Sequence, residues 1–316
     1  MVTPFKTSKM SKTEFEELFN KVCNWGRWGP DDERGTLNYI TPDRIRAAAS
    51  LVRTGRSVSL QIPIDKVTGP DNPRPAYHYM VQTYDVGAGE VEPQFSTDYL
   101  ACEVHGDCHT HIDALCHVAY KGKLFNGKPT SLVTSTGAKR MDITAYAHGI
   151  VGRGVLLDIA SLRGVKWLEP GESVSRDELE SAEKKVGLRL GPGDIFLFRT
   201  GQHRRRLELG PWDVGPGGEG RAGLDPRTML LLHERKVAAF LPEGDGETIP
   251  SSVETVSDPI HTLQIVAMGM VCADSLQFEE LVKLCEEEQR WEFMLVATPL
   301  RLPGGTGSLF NPIAIF

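Results

Sequence analysis

The stretch from His105 to His117, His-Gly-Asp-Cys-His-Thr-His-Ile-Asp-Ala-Leu-Cys-His, constrains this chain more than any other. It holds four of the nine histidines together with Asp107 and Asp113. His105, Asp107, His109, His111 and Asp113 fall on alternate positions. In an extended strand alternate side chains share one face. The spacing therefore predicts a row of imidazoles and carboxylates along one side of a strand, an arrangement suited to a divalent metal. The apolar neighbours Tyr99, Leu100, Val104, Ala114 and Leu115 predict burial rather than a solvated strand edge.

The rest of the composition limits what such a site could serve. At 316 residues, 40% of them hydrophobic, the chain can bury a large core. A net charge of −7 argues against a nucleic-acid or anionic-membrane surface. The run Arg204-Arg205-Arg206 reads as a solvated turn or as a contact for a substrate anion. No apolar run approaches the roughly eighteen residues of a membrane span, and Met1 to Lys12 lacks the apolar centre of a signal peptide. The six cysteines form no Cys-x-x-Cys pair, and Cys102, Cys108 and Cys116 crowd around the His/Asp stretch. That pattern suits a reduced interior and predicts a cytoplasmic protein without a zinc ribbon. With no internal repeat or clean linker, the chain reads as one domain over residues 1–316.

Periodicity supplies a coarse element map. Phe15, Leu18, Phe19 and Val22 mark a helix over 13–23. The following loop carries Trp25 and Trp28, which either close one end of the core or wall a substrate pocket. Thr41-Pro42-Asp43 starts a helix with Ile45, Ala48, Ala49 and Val52 as its buried stripe. Residues 58–64 alternate as a half-buried strand, and Pro63 places it at an edge. Residues 66–98 read as a long functional loop with one strand near 79–84. Apolar runs at 154–160, 193–200, 237–241 and 293–298 predict strands. A capping box at Ser175 and Glu178, the pair Asp225-Pro226, and residues 277–289 predict the helices between them. This alternation is that of an α/β protein. Glu243, Asp245 and Glu247 follow the strand at 237–241 directly, a good place for a site. His261 precedes an apolar run that ends at Asp274.

His111 and Asp113 share a strand face, and a turn after Ala114-Leu115-Cys116 can bring His117 back to them. Neutral imidazole with carboxylate suits zinc or manganese. Three protein ligands leave coordination positions open, as in catalytic sites. An ion held that way lowers the pKa of its water from about 15.7 to roughly 7.

Thr110-His111-Ile112-Asp113-Ala114-Leu115-Cys116-His117 resembles the His-x-Gly-Thr-His-x-Asp-x-Pro-x-His signature of the cyclase family, which includes bacterial kynurenine formamidase and isatin hydrolase. Further matches are Trp28-Gly29-Pro30-Asp31-Asp32-Glu33, Lys123-Leu124-Phe125-Asn126-Gly127, Gly193-Asp194 with Arg199-Thr200-Gly201, and Pro259-Ile260-His261 before Asp274-Ser275-Leu276. The resemblance implies a swivelling β/β/α fold. It also implies hydrolysis of an amide, formamide or cyclic amide C–N bond of a small molecule through a metal-activated water. It makes His111 and Asp113 metal ligands, His117 the base or a ligand to a second ion, and His261 with Asp274 the distal pair, where the family usually has Glu in place of Asp274.

The first histidine of the signature falls on Asp107 and its glycine on His109. A two-residue insertion makes His105 the first ligand, the reading favoured by its Val104-His105 context; Asp107 and His109 share the same parity and remain alternatives. Leu115 replaces the signature proline. One zinc or manganese ion, or two, is expected. The tryptophan loop and residues 66–98 point to a flat or aromatic substrate, and the family implies a homodimer or homotetramer. The competing functions are a metal-dependent lyase or cyclase that consumes no water, and a metal-binding protein without catalysis. His78, His148, His203 and His233 read as structural or exposed.

Overall fold

The computed structural model describes residues 9–85 and 93–316. Among these, nine strands form the main sheet: β1 (Ser57–Ser59), β2 (His111–Asp113), β3 (Ile150–Asp158), β4 (Ile195–Arg199), β5 (Ala239–Pro242), β6 (Val271–Asp274), β7 (Glu292–Ala297), β8 (Gly307–Leu309) and β9 (Ile313–Ile315). Their order is β1-β9-β7-β3-β4-β5-β6-β2-β8. Strands β3 to β6 run parallel to one another, and every other neighbouring pair is antiparallel. The sheet thus joins β1 to the last strand of the chain, β9.

The parallel strands read as continuous apolar runs because both sheet faces are covered. Leu156, Ile195, Leu197 and Leu241 point into one core. Val155, Leu157, Phe196, Phe198 and Phe240 alternate with them and point into the other. Phe196 and Phe240 stack at 5.1 Å between ring centroids, a contact worth about 1 kcal/mol beyond its buried area. The helices are α1 (Lys12–Val22), α2 (Pro42–Ala49), α3 (Ile159–Arg163), α4 (Arg176–Val186), α5 (Gln202–Leu209), α6 (Met229–Glu234), α7 (Pro259–His261, continued as a π-helix over Thr262–Ala267) and α8 (Glu279–Glu288). Helices α1, α4, α6 and α7 cover the phenylalanine-rich face, and α8 contributes Leu281 and Leu284 to the other core. Ser175 and Glu178 form the expected capping box on α4, and Thr41 caps α2.

Several expectations change. Only Ala48 of the α2 stripe is buried, while Ile45 and Val52 are exposed. The strand expected over 58–64 is shorter, although it is an edge strand. Within 66–98 the chain builds an antiparallel ribbon of Tyr77–Gln82 with Thr97–Ala101, which exposes Tyr77, Tyr79, Tyr99 and Leu100. The centre of that segment, 86–92, and the polar start at 1–8 lie outside the described residues. The arginine run sits on helix α5, not in a turn. Arg204 pairs with Glu208, Arg205 with Glu219, and Arg206 with Asp65 and Asp71. All six cysteines are free thiols. No helix among the described residues is long and apolar enough to cross a membrane.

Candidate metal and active site

Strand β2 is only three residues long. Ile112 enters the core, which leaves His111 and Asp113 together on the other face. Antiparallel β6 sets Asp274 opposite His111 and Cys272 opposite Asp113. Cross-strand neighbours of this kind lie close enough for their side chains to meet. The Thr110 hydroxyl fixes the entry to β2: it accepts from Ile62 N (2.8 Å) and donates to the Ser275 carbonyl (2.5 Å). His111 donates from Nδ1 to the His109 carbonyl (2.8 Å), which leaves the Nε2 lone pair free. That Nε2 lies 3.6 Å from both Asp113 Oδ1 and Asp274 Oδ2.

The strand expected to begin at His105 begins only at His111, and residues 104–109 run through turns and a bend. The parity linking five donors therefore breaks, because alternation persists only where a ladder holds the chain extended. The three upstream candidates consequently diverge. His105 turns towards Asp113, with Nδ1 2.9 Å from Oδ1, and its Nε2 is held by Thr306 Oγ1 at 3.0 Å. Asp107 accepts from Arg221 instead. His109 sits between Cys102 Sγ (3.3 Å) and the Asp65 carbonyl (3.1 Å). Tyr99 and Leu100 are half exposed because they belong to the ribbon, so the expected burial starts further along.

A turn with His117 N donating to the Ala114 carbonyl returns His117 to the site. Its ring stacks on that of His105, with centroids 3.7 Å apart and planes within 3°. Nε2 of His117 lies 3.9 Å from Asp113 Oδ2. Burial pushes His117 down to about 4, against the opposing pull of Asp113. His261, carried by α7, donates from its backbone N and its Nδ1 to Glu247 Oε1 (2.7 and 3.1 Å) and approaches Asp274 Oδ2 with Nε2 (3.2 Å). Burial alone would lower its pKa, but the Cys272 sulfur and the Asp274 carboxylate outweigh it and hold His261 well above the usual range. Burial opposes the charge on Asp113 too, yet the imidazoles of His105, His117 and His111 keep that carboxyl well below its ordinary range.

These groups border a cavity of about 300 Å³, whose walls include His105, His117, Arg221, Asp258, His261 and Asp274. Neither Trp25 nor Trp28 lines it. Trp25 donates to the Val266 carbonyl and packs on Phe19, and Trp28 packs on Tyr39, so both tryptophans serve the body of the protein. Sequence reasoning missed Arg221 and Cys272 and left Asp245 and Glu247 without partners. Burial raises Asp245 to about 7 although Arg221 stands 3.1 Å away. The spacing of Cys272 two positions before Asp274 was a usable signal, whereas Arg221 had none.

The donor set fits a divalent metal. Asp113 Oδ2 is buried and has no hydrogen-bond partner, a state that costs on the order of 1–3 kcal/mol unless a ligand satisfies it. Two groups of donors meet at Asp113, one with His105 and His117 and one with His261, Cys272 and Asp274, each within a 4.8 Å span. Imidazole and carboxylate donors are those that zinc and manganese accept.

Residues 39–244 match the family described as "Putative cyclase". A solved structure described as a novel cyclase is 35% identical, with a TM-score of 0.84 over 94% of this chain and 99% of its own. Isatin hydrolase A from Ralstonia solanacearum is 21% identical, with a TM-score of 0.60 over 87% of this chain and 97% of its own. An isatin hydrolase bound to the product analogue thioisatinate is 16% identical, with a TM-score of 0.57 over 87% of this chain and 98% of its own. The two isatin hydrolases show a shared α/β fold, of the swivelling β/β/α type, and no more. No curated protein sequence matches.

Proposed function

This chain belongs to the cyclase family, and from that premise we propose that it is a metal-dependent hydrolase opening an amide, formamide or cyclic amide C–N bond of a small molecule. The observation that carries the reading is the buried, unpartnered Asp113 Oδ2 among three imidazoles and a second carboxylate beside an open cavity. His105, His111 and Asp113 would hold the ion, zinc or manganese, with room for a second beside Asp274. Bound there, a divalent ion supplies Lewis acidity that acidifies a water and polarises a carbonyl oxygen.

The chain's own groups do the rest. His111 is locked in the tautomer that keeps Nε2 free, through its bond to the His109 carbonyl. Thr306 fixes the His105 ring from the far side. His117 faces the cavity, takes the proton of the attacking water on Nε2, and returns it to the leaving nitrogen. His261, oriented by Glu247, holds Asp274 in place.

A flat, cyclic amide substrate is supported by the fold shared with isatin hydrolases, not by the tryptophans. A second copy of the chain is the other partner in this reading, supported by the exposed aromatic ribbon. The pairing of β1 with β9 supports a single domain over 1–316, and six free thiols support a cytoplasmic setting. Metal stripping tests the central point. Hydrolysis of isatin and of an N-formyl arylamine should vanish with a chelator and return with zinc or manganese. Turnover that survives stripping removes the reading.

A further inference from the structure

Cys272 sits in the middle of this site with no task assigned to it. It lies opposite Asp113 in the register of β2 and β6, is fully buried, and stands two positions before Asp274, so both side chains share a strand face. Its Sγ is 3.4 Å from Asp274 Oδ1. One ligand atom from each of Asp113, His261, Cys272 and Asp274 falls within a 4.8 Å span. In the tetrahedral arrangement that zinc takes, two ligand atoms lie roughly 3.3–3.7 Å apart. The 3.4 Å between Cys272 Sγ and Asp274 Oδ1 already has that spacing. A second observation points to the same spot: Asp113 is 1% exposed, and its unpartnered Oδ2 lies 4.0 Å from His261 Nε2. No other cysteine among the described residues joins a donor group.

We propose that Cys272 is a thiolate ligand to a divalent ion shared with Asp113, His261 and Asp274, and that it biases this position towards zinc over manganese. The proposal rests on the divalent-metal reading above and adds a soft donor to it. Thiolate favours zinc and its softer substitutes, whereas manganese and magnesium favour oxygen. Coordination releases the Sγ proton to solvent, and no electron changes hands. The competing role is that of a buried thiol donating to Asp274.

Cobalt separates the two roles. The metal-stripped full chain is titrated with Co²⁺ and followed by absorption. The expected result is a near-ultraviolet thiolate-to-cobalt charge-transfer band beside the visible d–d bands. Cys272→Ser should keep the d–d bands and lose the charge-transfer band, while Cys116→Ser keeps both. In competition dialysis the zinc-over-manganese preference of Cys272→Ser should fall by about tenfold or more. Zinc-edge X-ray absorption of the unsubstituted protein should show a sulfur neighbour at about 2.3 Å. That measurement stands even if the serine variant does not fold. Cobalt bound with d–d bands alone, together with only nitrogen and oxygen around zinc, overturns the thiolate and leaves the metal reading intact. A chain that binds neither cobalt nor zinc overturns both.

Discussion

His111 and Asp274 face each other across β2 and β6, with Nε2 3.6 Å from Oδ2. His111 brings a free Nε2 lone pair to that gap and Asp274 a carboxylate oxygen that His261 Nε2 also approaches, at 3.2 Å, so both residues would serve as donors to an ion held here. His111→Ala should therefore lower metal affinity by about 100-fold or more, since even outer-shell changes cost 10–100-fold. Equilibrium dialysis with elemental analysis measures this, and circular dichroism checks that the fold persists. Unchanged metal content would move the site away from β2.

Glu247 does not reach the cavity, yet it accepts both the backbone N–H and the Nδ1–H of His261. Glu247→Gln removes the negative partner and keeps the size. In the metal-loaded protein kcat should fall by roughly 10–100-fold with KM little changed, because the substrate meets His261 and not Glu247. A change confined to KM would mean that Glu247 shapes the pocket instead.

How much of this could be read without coordinates follows the physics. The parallel strands β3, β4 and β5 were legible because burial on both faces writes a continuous apolar run. Helix α4 was legible because its cap is local, Ser175 to Glu178. His111 and Asp113 were legible because two positions of one strand decide their face. The choice among His105, Asp107 and His109 was not, because parity needs a hydrogen-bonded ladder and 104–109 has none. The partners of Asp107 and His261, Arg221 and Glu247, are set by tertiary folding. Leu100 misled because an apolar residue in an exposed ribbon reads like one in the core.

His203 on α5 is a half-buried histidine outside the site, and its Nδ1 is buried without a partner. Burial lowers its pKa from 6.5. The unfolded chain then binds the proton more readily than the fold does. The stability His203 contributes is present above its unfolded value near 6.5 and is lost as pH falls through the lower folded value. The unfolding free energy of the chelator-treated protein should drop on acidification below about pH 6.5, and the drop should be shallower in His203→Gln. Parallel pH curves for the two proteins would contradict this.

The ribbon of Tyr77–Gln82 and Thr97–Ala101 stacks Tyr79 on Tyr99 at 5.1 Å while leaving both half exposed. A two-stranded ribbon is marginal alone in water, and a second copy covering these side chains would remove exposed apolar surface from solvent. Sedimentation equilibrium should find a dimer or tetramer, and Tyr79→Glu with Tyr99→Glu should shift it to monomer with the fold retained. A monomeric unsubstituted chain would remove the second copy from the account.

The central claim is that this site spends a water on a C–N bond. Turnover of a cyclic amide or aryl formamide by the metal-loaded protein in water enriched in heavy oxygen tests it most directly, with the product acid read by mass spectrometry. One solvent oxygen per product carboxylate is the predicted result. A product formed without solvent oxygen would contradict hydrolysis and assign the site to water-free lyase or cyclase chemistry.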